Sequence, residues 1–437
     1  MNRRKFLHGG AAASLATVFI PKSVKAQPKL TLRMMNMETD PNTIEMLKKA
    51  STDYEAKTGI RFEIDTTQPA GAFTKLATSI KAGRPYDVAN ILFIGDVLIL
   101  ARDGGLMPLT PLIDKIGRDD FGPRILFPMD GQIWWYPYDY NFANLFYRKD
   151  LFAQQGLKEP RSYDEFLKAT QACVDDPKKT GTPDRYGICL PIGSGPAANW
   201  LTFAFLWADG FKLFDDQWRV LIDSPPMKAK LVRYLTFFGE LYKTMPPGMA
   251  QIGFAENLTL FASDKVAMAA YSGRMIHHLE RFAPQLTDKF GMMAYPSSDG
   301  SRTGVNHGYD GWVVPKGPYS QEGYKFLEWF LTERLIDFYE TLILHYQPTR
   351  WSIYDNPRWK AHPLVKKYAW SVDIMKGFLR NTVIGSIDTE GPAPDTRPGK
   401  VFEGFVFPEM VQNFVLKKLP ADRCVELAAE KARKLTT

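Results

Sequence analysis

The 437-residue sequence is poor in cysteine and has no long apolar run. Its three cysteines, Cys173, Cys189 and Cys424, form no Cys-x-x-Cys pair, which excludes a dense disulfide framework and a structural zinc site of that spacing. We interpret them as small buried apolar residues, with a single Cys173–Cys189 disulfide as the alternative. No apolar stretch reaches the ~20 residues that a membrane-spanning helix needs. A composition of 45% hydrophobic and 24% charged residues excludes intrinsic disorder.

Motifs of hydrolytic and nucleotide chemistry are also missing. The sequence has no HExxH, no GxSxG and no P-loop. The stretch GSGPAA (193–198), with Asp215 and Asp216 about twenty residues later, fits a dinucleotide fingerprint. We reject this interpretation because Pro196 interrupts the glycine turn, the preceding strand lies mid-chain and an exported protein has little access to NAD.

The histidines give no metal-binding pattern. His277 and His278 are adjacent on a predicted helix, so they point about 100° apart and do not easily share a metal ion. His307 is a lone histidine in a polar stretch, which is more often structural than catalytic. We therefore predict no cofactor, no metal site and no catalytic residue.

Residues 1–26 have the pattern of an export signal. Arg3 and Arg4 followed by Phe6 and Leu7 resemble a twin-arginine signal, and the apolar stretch GGAAASLATVFI leads to a VKA cleavage pattern before Gln27. Removal of the five basic residues of this segment, which has no acidic residue, lowers the formal net charge from +7 to +2. No basic stripe interleaved with aromatic residues remains, so nucleic acid is excluded as a partner. We predict a periplasmic protein exported by the twin-arginine pathway.

Strand and helix patterns alternate along the rest of the chain. LTLRMMN, RFEIDTT and DVANILFI predict strands, and a helix follows the first of them with Asp40 as a possible cap and Pro41 at its first position. Further along, Ser162 and Glu165 form a capping box at the start of another helix. Such alternation predicts mainly parallel sheets covered by helices, and the chain length predicts two domains.

Three breaks interrupt this alternation. They are WWYPYDY around Pro137, the polar stretch SSDGSRTGVNHG (297–308) and HYQPTRW around Pro348. Three crossings imply two lobes joined by a hinge, with a cleft at the carboxyl ends of the strands. We predict an α/β fold whose first lobe comprises 27–136 plus 297–348 and whose second comprises 137–296 plus 349–437.

Five segments in this order resemble the carbohydrate-type extracellular solute-binding proteins of ATP-binding-cassette (ABC) importers, the maltose-binding-protein-like family. They are YDVANILFIGDVLILARDGGLMPL, GQIWWYPYDYNFANLFYRKDLFAQQGLKEPRSYDEFLKA, FASDKVAMAAYSGRM, YDGWVVPKGPYSQEGYKFLEWFLT and YQPTRWSIYDNP. The resemblance runs from about residue 30 to the C-terminal helices. It implies the two-lobed periplasmic-binding-protein fold and a monomer that captures a sugar or oligosaccharide in its cleft. It also implies delivery of that ligand to a membrane permease.

The resemblance also implies which residues face the cleft, namely those at strand ends and crossings. Sugars present hydroxyls and apolar C–H faces, so their sites combine polar side chains with aromatic platforms. The predicted ligand-binding residues are Glu38, Asp40, Asp96, Tyr138, Asp139, Trp200, Ser272, Arg274, Asp310, Trp312 and Arg350. Asp40 has an alternative role as a helix cap, and Trp200 could instead cover the sheet. Trp134 and Trp135 must face opposite ways, which places one of them in the core.

Two alternative functions remain open. A secreted carbohydrate-active enzyme would use a carboxylate pair such as Asp139 with Glu38 or Asp310. A binder of polyols or phosphorylated polyols is the second, and a phosphate would require Arg274 and Arg350 to converge. Many polar cleft candidates without an activated nucleophile favour a binding protein.

Overall fold

The computed structural model describes residues 30–69 and 71–437, so the predicted signal peptide lies outside the described residues. The strands of this part of the chain are β1 (Leu30–Asn36), β2 (Ile60–Thr66), β3 (Val88–Ile91), β4 (Tyr136–Arg148), β5 (Tyr186–Cys189), β6 (Val266–Tyr271), β7 (Phe290–Met293), β8 (Tyr295–Pro296), β9 (Thr303–Val313) and β10 (Val383–Gly385).

Helices connect and pack against many of these strands. They are α1 (Pro41–Thr58), α2 (Ala72–Lys81), α3 (Ile94–Arg102), α4 (Thr110–Ile116), α5 (Lys149–Gln154), α6 (Tyr163–Ala172), α7 (Pro196–Thr202), α8 (Ala204–Ala208), α9 (Pro225–Tyr242), α10 (Phe254–Ala262), α11 (Arg274–Phe282), α12 (Ser320–Glu333), α13 (Leu335–Thr341), α14 (Trp351–Tyr354), α15 (Pro357–Ala361), α16 (Pro363–Lys367), α17 (Ala369–Asn381), α18 (Thr396–Glu403), α19 (Val406–Val415) and α20 (Ala421–Thr436). Short 3-10 helices occur at Arg118–Asp120, Pro284–Leu286 and Ile387–Thr389.

The first lobe contains a parallel sheet core. Strand β1 lies between β2 and β3 and is parallel to both, as the predicted strand–helix alternation requires. Its residues Leu32, Met34 and Met35 are buried, because helices cover the sheet on both faces. In the second lobe, β5 and β6 form the parallel pair.

Two long antiparallel strands connect the lobes. Strand β9 pairs with β3 on one side and with residues 136–143 of β4 on the other. From Asn144 to Arg148, β4 pairs instead with β6 and β7 of the second lobe. Strand β4 therefore belongs to both sheets, and Pro137 sits next to an irregular step in its register with β9.

A third segment runs beside these two strands. The Gln347 N–H donates to Asp139 Oδ1 over 2.6 Å, and the Tyr140 N–H donates to the Gln347 carbonyl over 2.9 Å. The Thr349 hydroxyl donates to the Pro137 carbonyl over 2.8 Å. The predicted two-lobed α/β fold with three crossings is confirmed.

One predicted crossing has a different local structure. We predicted a polar loop over 297–308, but β9 already begins at Thr303, so the loop prediction is wrong for 303–308. The glycines in this stretch made the sequence pattern resemble a loop, although it forms a strand. Close packing requires a glycine at position 304, because a Cβ atom there would lie 2.7 Å from the Ala204 carbonyl oxygen of α8. The loop of residues 297–302 also contacts the second lobe, since the Ser298 N–H donates to Asp209 Oδ1 over 2.6 Å.

The cysteines and the tryptophan pair lie as the sequence indicates. All three cysteines are buried and free, so the alternative Cys173–Cys189 disulfide is wrong, and the Cys189 sulfur lies 3.9 Å from that of Met249. Trp135 is fully buried, whereas its neighbour Trp134 is half-buried.

Within the described residues, no helix has both the length and the apolar character needed to span a membrane.

Candidate ligand-binding site

A cavity of about 480 Å³ lies where both lobes contribute loops and helix starts. The loops after β1 and β3 line one side, and the N-terminal ends of α7, α10 and α11 line the other. Its volume falls within the ~300–1,000 Å³ of small-molecule sites. The position, at the carboxyl ends of the parallel strands, is where open α/β sheets bind ligands.

Aromatic side chains form one wall of the cavity. The Trp200 ring meets those of Tyr271 and Phe254 edge to face, with centroids 5.6 and 5.9 Å away. Gly308 of β9 lets the indole approach the backbone, because a Cβ atom there would lie 2.8 Å from Trp200 Nε1. Of the two placements considered for Trp200, lining the cleft or covering the sheet, the structure has the first. Such rings offer flat apolar faces to the C–H groups of a sugar or polyol.

Glu38 and Arg274 form an ion pair that also lines the cavity. Arg274 Nη1 lies 3.6 Å from Glu38 Oε2, and the Tyr138 hydroxyl donates to Glu38 Oε1 over 3.0 Å. Burial raises the pKa of Glu38, while Arg274 and the Tyr138 hydrogen bond act in the opposite direction. The pair thus places a carboxylate and a guanidinium side by side at the cavity surface.

A second acidic group lies on the crossing strands. Asp310 of β9 stands directly opposite Asp139 of β4, and Asn141 Nδ2 donates to Asp310 Oδ2 over 3.2 Å. Burial, and then the neighbouring carboxyls, raise the pKa of both aspartates well above the usual range. Because two adjacent buried carboxylates repel each other, we expect this pair to retain a proton.

His345 completes the polar surface and stays neutral. Its Nδ1 lies 3.2 Å from the Ser272 hydroxyl, and burial followed by nearby Arg274 lowers its pKa well below the usual range. Glu38, Asp310 and His345 have ligand atoms within 4.8 Å of one another, a donor set that could hold a divalent cation. Since the Arg274 guanidinium already supplies positive charge there, we interpret the three side chains as partners of ligand hydroxyls.

Two buried polar atoms at the cavity have no hydrogen-bond partner within the described chain. They are Asn141 Oδ1 and Trp200 Nε1, whose residues are 9% and 4% exposed. A buried acceptor or donor without a partner is costly, so such groups usually bond to a ligand or to water. One atom accepts and the other donates, which suits a hydroxyl group that can do both.

Four of the predicted residues line the cavity, and four more support it from behind. Glu38, Trp200, Arg274 and Asp310 line it. Tyr138, Asp139, Ser272 and Trp312 are buried beneath this surface and contact its residues or one another. These four act on a ligand only through the residues they hold.

The other three predicted residues have partners elsewhere. Asp40 caps α1, accepting the Asn42 N–H over 2.9 Å, as its alternative role required. Asp96 is buried on α3 beside the carboxyls of Asp388 and Glu403. Arg350 bonds to Asp120 over 2.7 Å, so it does not converge with Arg274. The structure leaves no second arginine at the cavity among the described residues.

Sequence reasoning missed Asn141, Tyr271, His345 and Phe254. Two of them had a usable signal: Asn141 follows Asp139 by two residues on a strand and so shares its face, and Tyr271 directly precedes Ser272. His345 interrupts the apolar stretch LILHY, but only the folded chain brings it to Ser272. Phe254 begins a helix that sequence reasoning did not connect to the cleft.

Comparisons with known proteins agree with this architecture. The sequence profile of the family described as bacterial extracellular solute-binding protein matches residues 49–367. The mannitol-binding protein of Pseudomonas aeruginosa is 28% identical over 264 residues, which cover 59% of this chain and 57% of that protein. The chain thus spans less than two thirds of the length of this relative.

Two solved structures share the fold. A solute-binding protein from Thermotoga lettingae with bound α-D-tagatose has a TM-score of 0.76 and 21% identity, covering 93% of this chain and 100% of that one. A solute-binding protein from Agrobacterium vitis with bound D-mannitol has a TM-score of 0.71 and 23% identity, covering 93% and 98%. Both structures are of solute-binding proteins of ABC transporters.

Proposed function

The chain belongs to the family of bacterial extracellular solute-binding proteins, and from this premise we propose that it captures a sugar or a sugar alcohol for an ABC importer. Membership in this family makes it an exported protein. The finer proposal is a periplasmic monomer that leaves the cytoplasm by the twin-arginine pathway and delivers its ligand to a membrane permease.

The observation that carries this proposal is the chemistry of the cavity. Buried carboxyls, a guanidinium and a neutral imidazole line it together with aromatic rings. Asn141 Oδ1 and Trp200 Nε1 lack partners, which suits a ligand with several hydroxyl groups. The D-mannitol and α-D-tagatose bound by the related proteins have this chemistry.

We propose binding without chemical conversion. Of the carboxylates considered for a glycosidase pair, Asp139 is buried against Asp310 and the Gln347 N–H, and Glu38 is paired with Arg274. Neither arrangement provides the separated acid and nucleophile that glycoside hydrolysis uses. Incubation with a bound disaccharide should return it unchanged, and release of monosaccharides would contradict the proposal.

We place the lobe boundaries at the crossings that the contacts support. The first lies near Ala143, where β4 changes sheets, and the third lies at residues 345–350. The second lies within β9 near Gly308, later than the polar loop chosen from the sequence, since residues 297–302 contact the second lobe. Ligand would bridge the two sides and stabilise the closed arrangement.

A thermal-shift screen followed by calorimetry tests the function. The mature protein is heated with hexitols, pentitols, monosaccharides and oligosaccharides, including D-mannitol, ribitol, tagatose and maltose. Ligand at 100 times its Kd should add about 2.7 kcal/mol to the free energy of unfolding and raise Tm visibly. No shift with any of these compounds would contradict the proposal.

A further inference from the structure

We propose that Glu38 sets the charge selectivity of the cavity by neutralising Arg274, so that uncharged polyhydroxylated ligands are accepted and their carboxylate and phosphate counterparts are rejected. This inference rests on the proposed function and deepens it. It concerns which members of the broad class of sugar derivatives can enter the site.

Arg274 is the one lysine or arginine that lines the cavity in the described part of the chain. An anionic ligand would therefore depend on this guanidinium. Glu38 Oε2 lies 3.6 Å from Arg274 Nη1, and Glu38 is itself almost fully buried and held by the Tyr138 hydroxyl. The guanidinium is thus already compensated by a carboxylate that is not free to turn away.

The groups around the pair strengthen the exclusion of anions. Asp310 lines the same cavity with Asp139 directly behind it, and Glu256 lies at the rim. His345 is neutral and Arg350 is engaged with Asp120 elsewhere. An added carboxylate or phosphate would face more acidic than basic groups, and juxtaposed like charges strongly disfavour binding.

Uncharged hydroxyls meet no such penalty. Each can donate to a carboxylate oxygen or to the unpartnered Asn141 Oδ1, and can accept from Arg274 or the unpartnered Trp200 Nε1. Neutral ligands therefore use both members of the ion pair without changing the charge balance.

The test compares D-mannitol with D-mannonate and D-mannitol 1-phosphate by calorimetry, with maltose and maltobionate as a second matched pair. In the unmodified protein, the neutral member of at least one pair should bind and its acid should bind at least about 100-fold more weakly. Glu38→Gln keeps the size of the side chain and an oxygen that can accept from Tyr138, but leaves Arg274 uncompensated. It should bind the acid at least about tenfold more tightly than the unmodified protein, with weaker binding of the neutral ligand.

Two further variants distinguish the effect of the Glu38–Arg274 ion pair from the effect of the total charge of the cavity. Glu256→Gln removes the same formal charge from the cavity rim, where this exposed side chain accepts the Gly253 N–H over 3.0 Å. Because Glu256 is exposed and is not paired with Arg274, this variant should change the ratio of the two affinities much less than Glu38→Gln does. Adding Arg274→Gln to Glu38→Gln should abolish the gain in acid binding. Circular dichroism confirms that each variant is folded.

Each outcome bears directly on the inference. Equal binding of a neutral ligand and its acid by the unmodified protein would overturn it while leaving the proposed function intact. An equal gain from Glu256→Gln, or no gain from folded Glu38→Gln, would also overturn it. Absence of any neutral binding would refute the inference and the proposed function together.

Discussion

At the scale of single residues, the position of the Tyr138 hydroxyl determines whether this residue contacts the ligand or another side chain of the protein. Tyr138 was predicted as a platform in the cleft, but it is fully buried against Trp312 and Phe338. Its hydroxyl donates to Glu38 Oε1 and accepts from Asn90 Nδ2 over 3.4 Å. Tyr138 therefore orients the carboxylate that the ligand meets.

Replacing this hydroxyl should affect stability and binding together. Tyr138→Phe keeps the ring contacts but removes the donor to a buried carboxylate, so the free energy of unfolding should fall by about 1–3 kcal/mol. Ligand affinity should fall about tenfold, because Glu38 loses a group that fixes its position. Urea unfolding and calorimetry measure the two effects.

Tyr140→Phe is the matched control. The Tyr140 hydroxyl donates to the Pro123 carbonyl over 2.7 Å and does not line the cavity. This variant should lose stability while keeping its ligand affinity. An equal loss of affinity in both variants would contradict the role assigned to Tyr138.

Residue types alone could predict part of this site. Glu38 follows the first predicted strand and Asp310 lies on a later one, and Asp40 and Arg350 fit the predicted pattern of strand ends and crossings equally well. Only the folded structure distinguishes the residues that line the cavity from those that do not. Asp40 caps its own helix, and Arg350 bonds to Asp120, which is 230 positions away in the chain. Partners so distant in the chain leave no local pattern.

At the scale of elements, helix α3 packs against α18 through two glycines. A Cβ atom on Gly95 would lie 2.8 Å from the Cα atom of Gly399, so neither position has room for a larger side chain without movement. The Gly95 N–H donates to Asp388 Oδ2 over 3.0 Å. This contact brings the carboxyls of Asp96 and Glu403 beside that of Asp388.

Stability should depend on pH through this contact. Burial raises the pKa of Glu403 to about 7, and Asp388 adds to the effect. A carboxyl with a raised pKa binds more protons in the folded than in the unfolded protein, so stability is highest below its ordinary pKa and falls as pH rises to about 7. Asp96 and Asp388 have raised pKa values of the same sign, so Glu403→Gln should reduce this fall and stabilise the protein at pH 8 by about 2–3 kcal/mol.

Unfolding in urea from pH 5 to pH 8 measures the effect. Glu430→Gln on α20, whose carboxylate contacts Arg423, is the matched control and should retain the pH dependence of the unmodified protein. A Glu403→Gln variant with an unchanged pH profile would contradict the assignment. The alternation of elements could be predicted from the sequence, but this contact joins residues 293 positions apart and could not.

At the scale of the whole molecule, the three crossings are where we expect bending to open and close the cavity. Strands β4 and β9 run side by side between the sheets, and the Gln347 N–H ties the third segment to Asp139. Because these three segments join the two lobes, we expect bending there to disturb few contacts within either lobe. The sequence predicted three breaks because proline and polar residues interrupt the periodicity, but it could not show that the second crossing is a continuous strand.

Ligand binding should therefore make the particle more compact. A compact chain of this length has an expected radius of gyration of about 22 Å, and an open arrangement must exceed the closed one. X-ray scattering of the mature protein should show a smaller radius with saturating ligand than without it. A sugar that gives no thermal shift is the control and should leave the radius unchanged. Since the cavity draws residues from both lobes, a ligand that binds tightly without compaction would mean that the unliganded protein is already closed, and the hinge mechanism would then be wrong.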